Sequence, residues 1–307
     1  MIELKKEELL KSRGINATLN AGYHLLADNF KTIFRHVWPY VLTYAVMFGA
    51  WTVFFESLAG QIHTFADSQL VVLMLVVMFA VIIVLYARTF MMLNGQSQRW
   101  NLLRSTKLVG FYLLIVVVFS IIVVSVGFLS GGTEGLAVLA SNPENVTPET
   151  MQPEAGLMAV RVLIVTVVAS ILLLIFCLPI GYTSMKYMME PESKLFPTLL
   201  GKYGRGLRHW GYIFVCVLVV ALCIGVASLV LMLPMYVVQT VQRIDQMGLI
   251  GGDESGLPSW FGWLNFGVST LTYFVYAFLG FVELFVLYYI YGSIEARRKE
   301  KELMKIE

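Results

Sequence analysis

Charge is what this sequence has least of: Asp, Glu, Lys and Arg make up 14% of its 307 residues, against 58% hydrophobic. With a mean hydropathy of +0.75, the chain has too few polar side chains to cover a soluble globule of its size. Soluble dinucleotide-binding and barrel enzymes are excluded on that ground. The net charge of +2 gives no electrostatic case for nucleic acid as a partner. Cysteine is equally sparse. Cys177, Cys216 and Cys223 all fall in apolar stretches, and an odd number there offers neither a disulfide framework nor thiol-metal spacing. The four histidines, His24, His36, His63 and His209, are scattered along the chain and do not converge on a four-histidine iron centre. No His-Glu-x-x-His helix, Gly-x-Ser-x-Gly turn, phosphate-binding Walker loop or pair of intramembrane aspartates is present. The expectation is a protein without an enzymatic constellation, cofactor or metal.

What the chain does have is long apolar runs. Crossing a hydrocarbon core of about 30 Å takes roughly 20 mostly apolar residues in a helix. Six stretches qualify, at about 37–60, 69–93, 108–129, 157–182, 210–240 and 260–292. They are apolar on every side, which excludes the alternating pattern of barrel strands. The expected fold is an all-α, polytopic membrane bundle of six transmembrane helices with amphipathic helices on the cytoplasmic surface. It divides into an N-terminal cytoplasmic segment (1–36), the six-helix domain (37–292) and a charged cytoplasmic tail (293–307). Nothing in the first 36 residues has the form of a cleavable signal, so the first span is expected to remain as an anchor.

Twenty of the 22 Lys and Arg residues fall on one side of these spans, leaving only Arg161 and Arg243 on the other. By the positive-inside rule both termini are expected in the cytoplasm. On the basic side, Leu26, Phe30, Ile33 and Val37 recur at helical spacing beside Asp28, Lys31 and Arg35. Similar segments precede the third span (Trp100, Leu102 and Leu103 among Arg99, Arg104 and Lys107) and the fifth (Leu195, Phe196, Leu199, Leu200, Tyr203 and Leu207 beside Lys194, Lys202, Arg205 and Arg208). They read as surface-lying amphipathic helices. Each then leads into a helical hairpin, which suggests a threefold repeat. Convergence explains the pattern as well, because basic and aromatic residues gather at any inner membrane boundary.

On the other side, 131–156 is rich in Gly and Pro and carries Glu134, Glu144, Glu149 and Glu154 with no basic residue. It reads as a solvated acidic loop, with cation collection or an outer partner as the sharper alternative. Asn145 begins an Asn-Val-Thr triplet that fits a glycosylation acceptor.

The carboxylate well inside a span is Glu283, about 10 Å below the midpoint of the sixth at 1.5 Å per residue. Unpaired and ionised it would cost several kcal/mol. Two readings follow: an ion or proton relay, or a structural pair with Arg88 near the inner end of the second span. Arg161 is expected to snorkel to the outer interface or to pair with Glu56. Pro179 and Pro234 are candidate kinks. Ala45xxxGly49 and Ala221xxxGly225 offer small faces for close packing.

The layout of "NFKTIFRHVWPYVL" running into the first span, six spans, a long acidic outer loop and an ending "LYYIYGSIEARRKEKE" resembles a broad group of uncharacterised bacterial six-helix membrane proteins. That group is similar to the membrane domain attached to some glycerophosphodiester phosphodiesterases. The resemblance implies a bacterial inner-membrane location and carries no catalytic residue onto this chain.

The functional expectation is therefore a non-enzymatic scaffold, lipid-associated protein or accessory subunit. Its candidate contacts to anionic lipid are Arg35, Arg99, Arg104, Lys202, Arg205 and Arg208, and its partners are membrane lipids with a protein partner left open. The alternative is a small transporter or channel using Glu283. An intramembrane enzyme ranks last, since no nucleophile, metal set or acid-base pair is in view.

Overall fold

The computed structural model describes residues 4, 5, 7–58, 65–127, 148–250 and 256–304. The elements are α1 (Ile15–Ala27), α2 (Phe30–Leu58), α3 (Phe65–Asn94), α4 (Gln98–Gly127), α5 (Pro148–Met189), α6 (Leu195–Leu199), α7 (Tyr203–Arg208), α8 (Trp210–Ile250) and α9 (Phe261–Leu303), with no strand among the described residues. Six helices are long and apolar enough to cross a membrane: α2, α3, α4, α5, α8 and α9. This is a multi-pass membrane protein built as a helical bundle, each span satisfying its backbone hydrogen bonds internally.

Helix α9 is the hub, packing against α1, α2, α5 and α8, while α3 bridges α2 and α4 and α4 leans on α5. Small residues set the closest approaches. Ala45 is fully buried, and a Cβ at Gly49 would lie 3.1 Å from the Thr270 nitrogen, so the first of the two small-residue faces does bring α2 onto α9. The second does not serve this way: Gly225 has open space around it and Ala221 is exposed. Pro234 lies within an uninterrupted α8, as Pro39 does in α2.

Burial is lopsided. The fully buried large side chains include Tyr182, Lys186, Met188, Ile213, Phe285, Tyr289 and Ile290, all near the end of the bundle that carries the Lys and Arg residues. Toward the other end, Leu73, Val76, Ile121, Leu163, Leu229 and Val230 stand exposed and form an apolar outer surface suited to lipid.

Two expectations about the flanks need correction. The face formed by Phe30, Ile33 and Val37 belongs to the first turns of α2. It does not form a separate surface helix, because Ile33, Val37 and Val41 form a fully buried row that continues into the bundle. The real preceding helix, α1, lies against α9, where a Cβ on Gly22 would come within 2.9 Å of the Val286 nitrogen. The residues before α1 are likewise part of the fold. The Glu7 amide donates to the Tyr289 hydroxyl (3.2 Å), the Arg13 amide to Ser293 Oγ (3.0 Å), and the Asn29 side chain to the Lys5 carbonyl (2.9 Å). Nor is 293–307 a free tail, since Ser293, Ile294, Glu295 and Ala296 are buried in continuous α9.

Gly292 is the residue on which this wrapping depends, because a side chain there would collide with the Leu9 carbonyl and its side chain. Gly292→Ala is expected to lift the N-terminal segment off α9 at a cost of about 1–3 kcal/mol, the range for overpacking a filled site. Faster proteolytic cleavage before Ile15, with the rest of the bundle intact, is the expected readout.

Candidate functional site

The chemistry of the described residues is concentrated at the basic end. Its floor is a buried ion network between α5 and α9. Lys186, 1% exposed, places Nζ 2.5 Å from Glu295 Oε1 and 2.8 Å from Glu190 Oε1. The Tyr182 hydroxyl donates to the same Glu295 oxygen (2.5 Å), and the Tyr291 hydroxyl donates to Glu190 (3.3 Å). Arg298 reaches the other Glu295 oxygen at 3.2 Å, and Lys202 lies 3.9 Å from Glu190 Oε2. The spacing of Lys186 and Glu190 by one helical turn was visible in the sequence, but the matching acid, Glu295, is 109 residues away.

Beside this network Arg104 forms a clamp. Its guanidinium donates to the carbonyls of Tyr187, Glu190 (2.9 Å) and Ser193 (2.8 Å), to the Pro191 carbonyl and to Ser193 Oγ (3.0 Å). The group also lies over the Trp100 ring at 4.1 Å and the Tyr187 ring at 4.5 Å. Arg104 is 9% exposed. It is not a lipid contact, because its donors are spent on holding the turn after α5.

The remaining predicted residues separate into groups. Arg35 and Arg99 are exposed. Arg88 donates to Gln98 Oε1 (3.0 Å) and lies over the Tyr40 ring at 5.4 Å. The Glu283 side chain is exposed on α9 and acts electrostatically on Tyr86 of α3, and no ion pair joins it to Arg88 among the described residues. The partner proposed for Arg161, residues 131–147 of the acidic loop and His63 lie outside the described residues or side chains, whereas 148–156, read as the rest of that loop, belong to α5.

Arg205 and Arg208 are brought together with residues that looked like a solvated tail. They form one wall of a cavity of about 300 Å³ whose other wall is Arg297, Arg298 and Lys301 on α9. Five cations thus face one lining carboxylate, Glu302, which sits 3.5 Å from Arg298. The wall on α7 is set by Gly206, which is buried so closely on α5 that a Cβ would stand 2.8 Å from the Pro179 carbonyl. Pro179 matters here as a backing surface for α7. Arg297 is fixed by donating to the Arg13 carbonyl (2.6 Å) and by lying over the Tyr212 ring at 4.5 Å. His209 lines the same cavity, and burial, followed by the charges of Arg297, Lys301 and Arg208, holds its imidazole below the usual histidine range.

The arrangement can attract and orient an anion, and no group of three or more metal-ligating side chains occurs among the described residues. Comparison with protein-family models, with curated proteins and with solved structures finds no match to this chain.

Proposed function

We propose that this is a non-enzymatic protein of a bacterial inner membrane, oriented with its basic end and both termini in the cytoplasm, that acts as a lipid-associated scaffold or accessory subunit by binding anionic headgroups. The observation that carries this reading is the concentration of cations where α8 enters the apolar zone at Trp210 and α9 leaves it near Gly292. Arg35, Arg99, Arg205 and Arg208 are all exposed there. Phe196, Leu200 and Leu207, each more than half exposed on the short helices α6 and α7 or the turn between them, offer apolar side chains at the same level. Basic and apolar groups together at that depth suit the headgroup region of an anionic leaflet, where each Lys or Arg contributes about 1 kcal/mol. The positive-inside bias and the resemblance to bacterial six-helix proteins support the orientation and location.

A transporter using Glu283 would need that carboxylate on a path between helices. It lines neither the basic cavity nor the apolar one bounded by Tyr112, Ser184 and Leu284. The lipid reading is tested by replacing Arg35, Arg99, Arg205 and Arg208 together with Gln. Native mass spectrometry from mixed phosphatidylglycerol and phosphatidylcholine should show wild type enriched in the anionic lipid and the variant without enrichment. Equal enrichment in both would overturn the proposal.

A further inference from the structure

We infer that the cavity between α7 and the projecting end of α9 is a built site for one phosphate group, distinct from the general attraction of a basic surface. The inference rests on the reading that the basic end binds anions, and it assigns that binding to a particular place.

The first support is the charge balance. Of the cations lining the cavity, Arg298 is paired with Glu295 and Glu302, while Arg205, Arg208, Arg297 and Lys301 have no carboxylate partner among the described residues. Four unpaired like charges facing one space repel one another, and an anion between them removes that penalty.

The second is the division of labour among the cations. Arg297 and Arg298 are anchored, the one to the Arg13 carbonyl and the other to Glu295 and Glu302. The side chains of Arg205, Arg208 and Lys301 make no hydrogen bond or ion pair among the described residues, so their side-chain donors are uncommitted. The Arg298 Nε lies 3.5 Å from Glu302 Oε1 but makes no well-formed hydrogen bond to it.

The third is shape. Planar guanidinium groups match the paired oxygens of a phosphate better than a halide or a single carboxylate. A cavity of about 300 Å³ is at the small end of ligand sites, large enough for a phosphate with a glycerol-sized substituent. It lies next to Trp210, at the level where a phospholipid presents such a group. The same chemistry is offered by a soluble phosphate ester.

The test compares a cavity variant, Arg205→Gln with Lys301→Gln, with a rim variant, Arg35→Gln with Arg99→Gln. All four side chains are exposed, and none makes a hydrogen bond or ion pair among the described residues, so both proteins should keep wild-type thermal stability. Each is given phosphatidylglycerol against phosphatidylcholine in native mass spectrometry. Each is also titrated calorimetrically with inorganic phosphate in neutral detergent.

The expected result is at least a tenfold loss of phosphatidylglycerol enrichment in the cavity variant and a several-fold smaller loss in the rim variant. Gly206→Ala, which moves the α7 wall without removing a charge, should lose most of the same enrichment. Phosphate binding by wild type without lipid enrichment, abolished in the cavity variant, would keep the site, assign it to a soluble ester and overturn the lipid reading. Equal losses in both variants, or no loss in the cavity variant, would overturn the site while leaving the surface reading standing. No binding of either probe by wild type would overturn both.

Discussion

Lys186→Met is expected to destabilise the bundle by about 3–5 kcal/mol, the cost of leaving buried charge without its partner. Lys186 is almost wholly enclosed and holds Glu295 and Glu190 at 2.5 and 2.8 Å. Without the ammonium, Glu295 retains only the Tyr182 hydroxyl and a partly exposed Arg298. Neutralising the acid as well should restore more than half of the loss, because the larger part of the penalty is the stranded carboxylate rather than the missing attraction. Thermal unfolding in detergent of Lys186→Met, Glu295→Gln and the double variant gives the complete cycle. A double variant no more stable than Lys186→Met alone would show that the two side chains do not act as one unit.

The second large effect concerns Arg104. If this side chain met lipid phosphates, Arg104→Lys would keep the charge and most of the binding. The geometry predicts a severe loss instead. One guanidinium serves the carbonyls of Tyr187, Glu190, Pro191 and Ser193 together with Ser193 Oγ, while a lysine has three donors on a single atom. The Tyr187 and Glu190 carbonyls also accept from Ser193, so the Pro191 and Ser193 carbonyls are the acceptors that stand to lose their partner, at about 1–3 kcal/mol for each that stays buried. Arg104→Lys should therefore be nearly as unstable as Arg104→Gln, with a large fall in unfolding temperature for both. Wild-type stability in the Lys variant would refute the clamp.

These two residues show which parts of the molecule were legible beforehand. The six spans were, because each one satisfies its hydropathy within about 20 consecutive residues and needs no knowledge of its neighbours. The concentration of basic residues at one end was legible for the same reason. Arg205 and Arg208 were identified, but as parts of a surface stripe. Their opposite wall, Arg297 to Lys301, looked like a solvated tail, since a run of alternating charges reads as exposed until a helix 90 residues earlier is known to stand beside it. Leu26, Phe30, Ile33 and Val37 misled in the opposite direction. An apolar row at helical spacing is equally suited to a membrane surface and to another helix, and only the packing of α9 decides between them.

The lopsided burial described above has a consequence for how the protein sits in bilayers of different thickness. Only 11% of the most apolar window of α3, and the same share of α4, is enclosed by other parts of the chain. Helix tilt is set by neighbouring packing and by interfacial anchors, with hydrophobic mismatch adding fractions of a kcal/mol per ångström. Over their outer halves α3 and α4 keep side chains such as Leu73, Val76, Ile121 and Ile122 exposed and bury little against the rest of the chain to resist that force. Their inclination is therefore governed by the lipid. A thicker bilayer should draw them upright, while the ion network and the basic cavity, held by buried contacts at one end, keep their geometry.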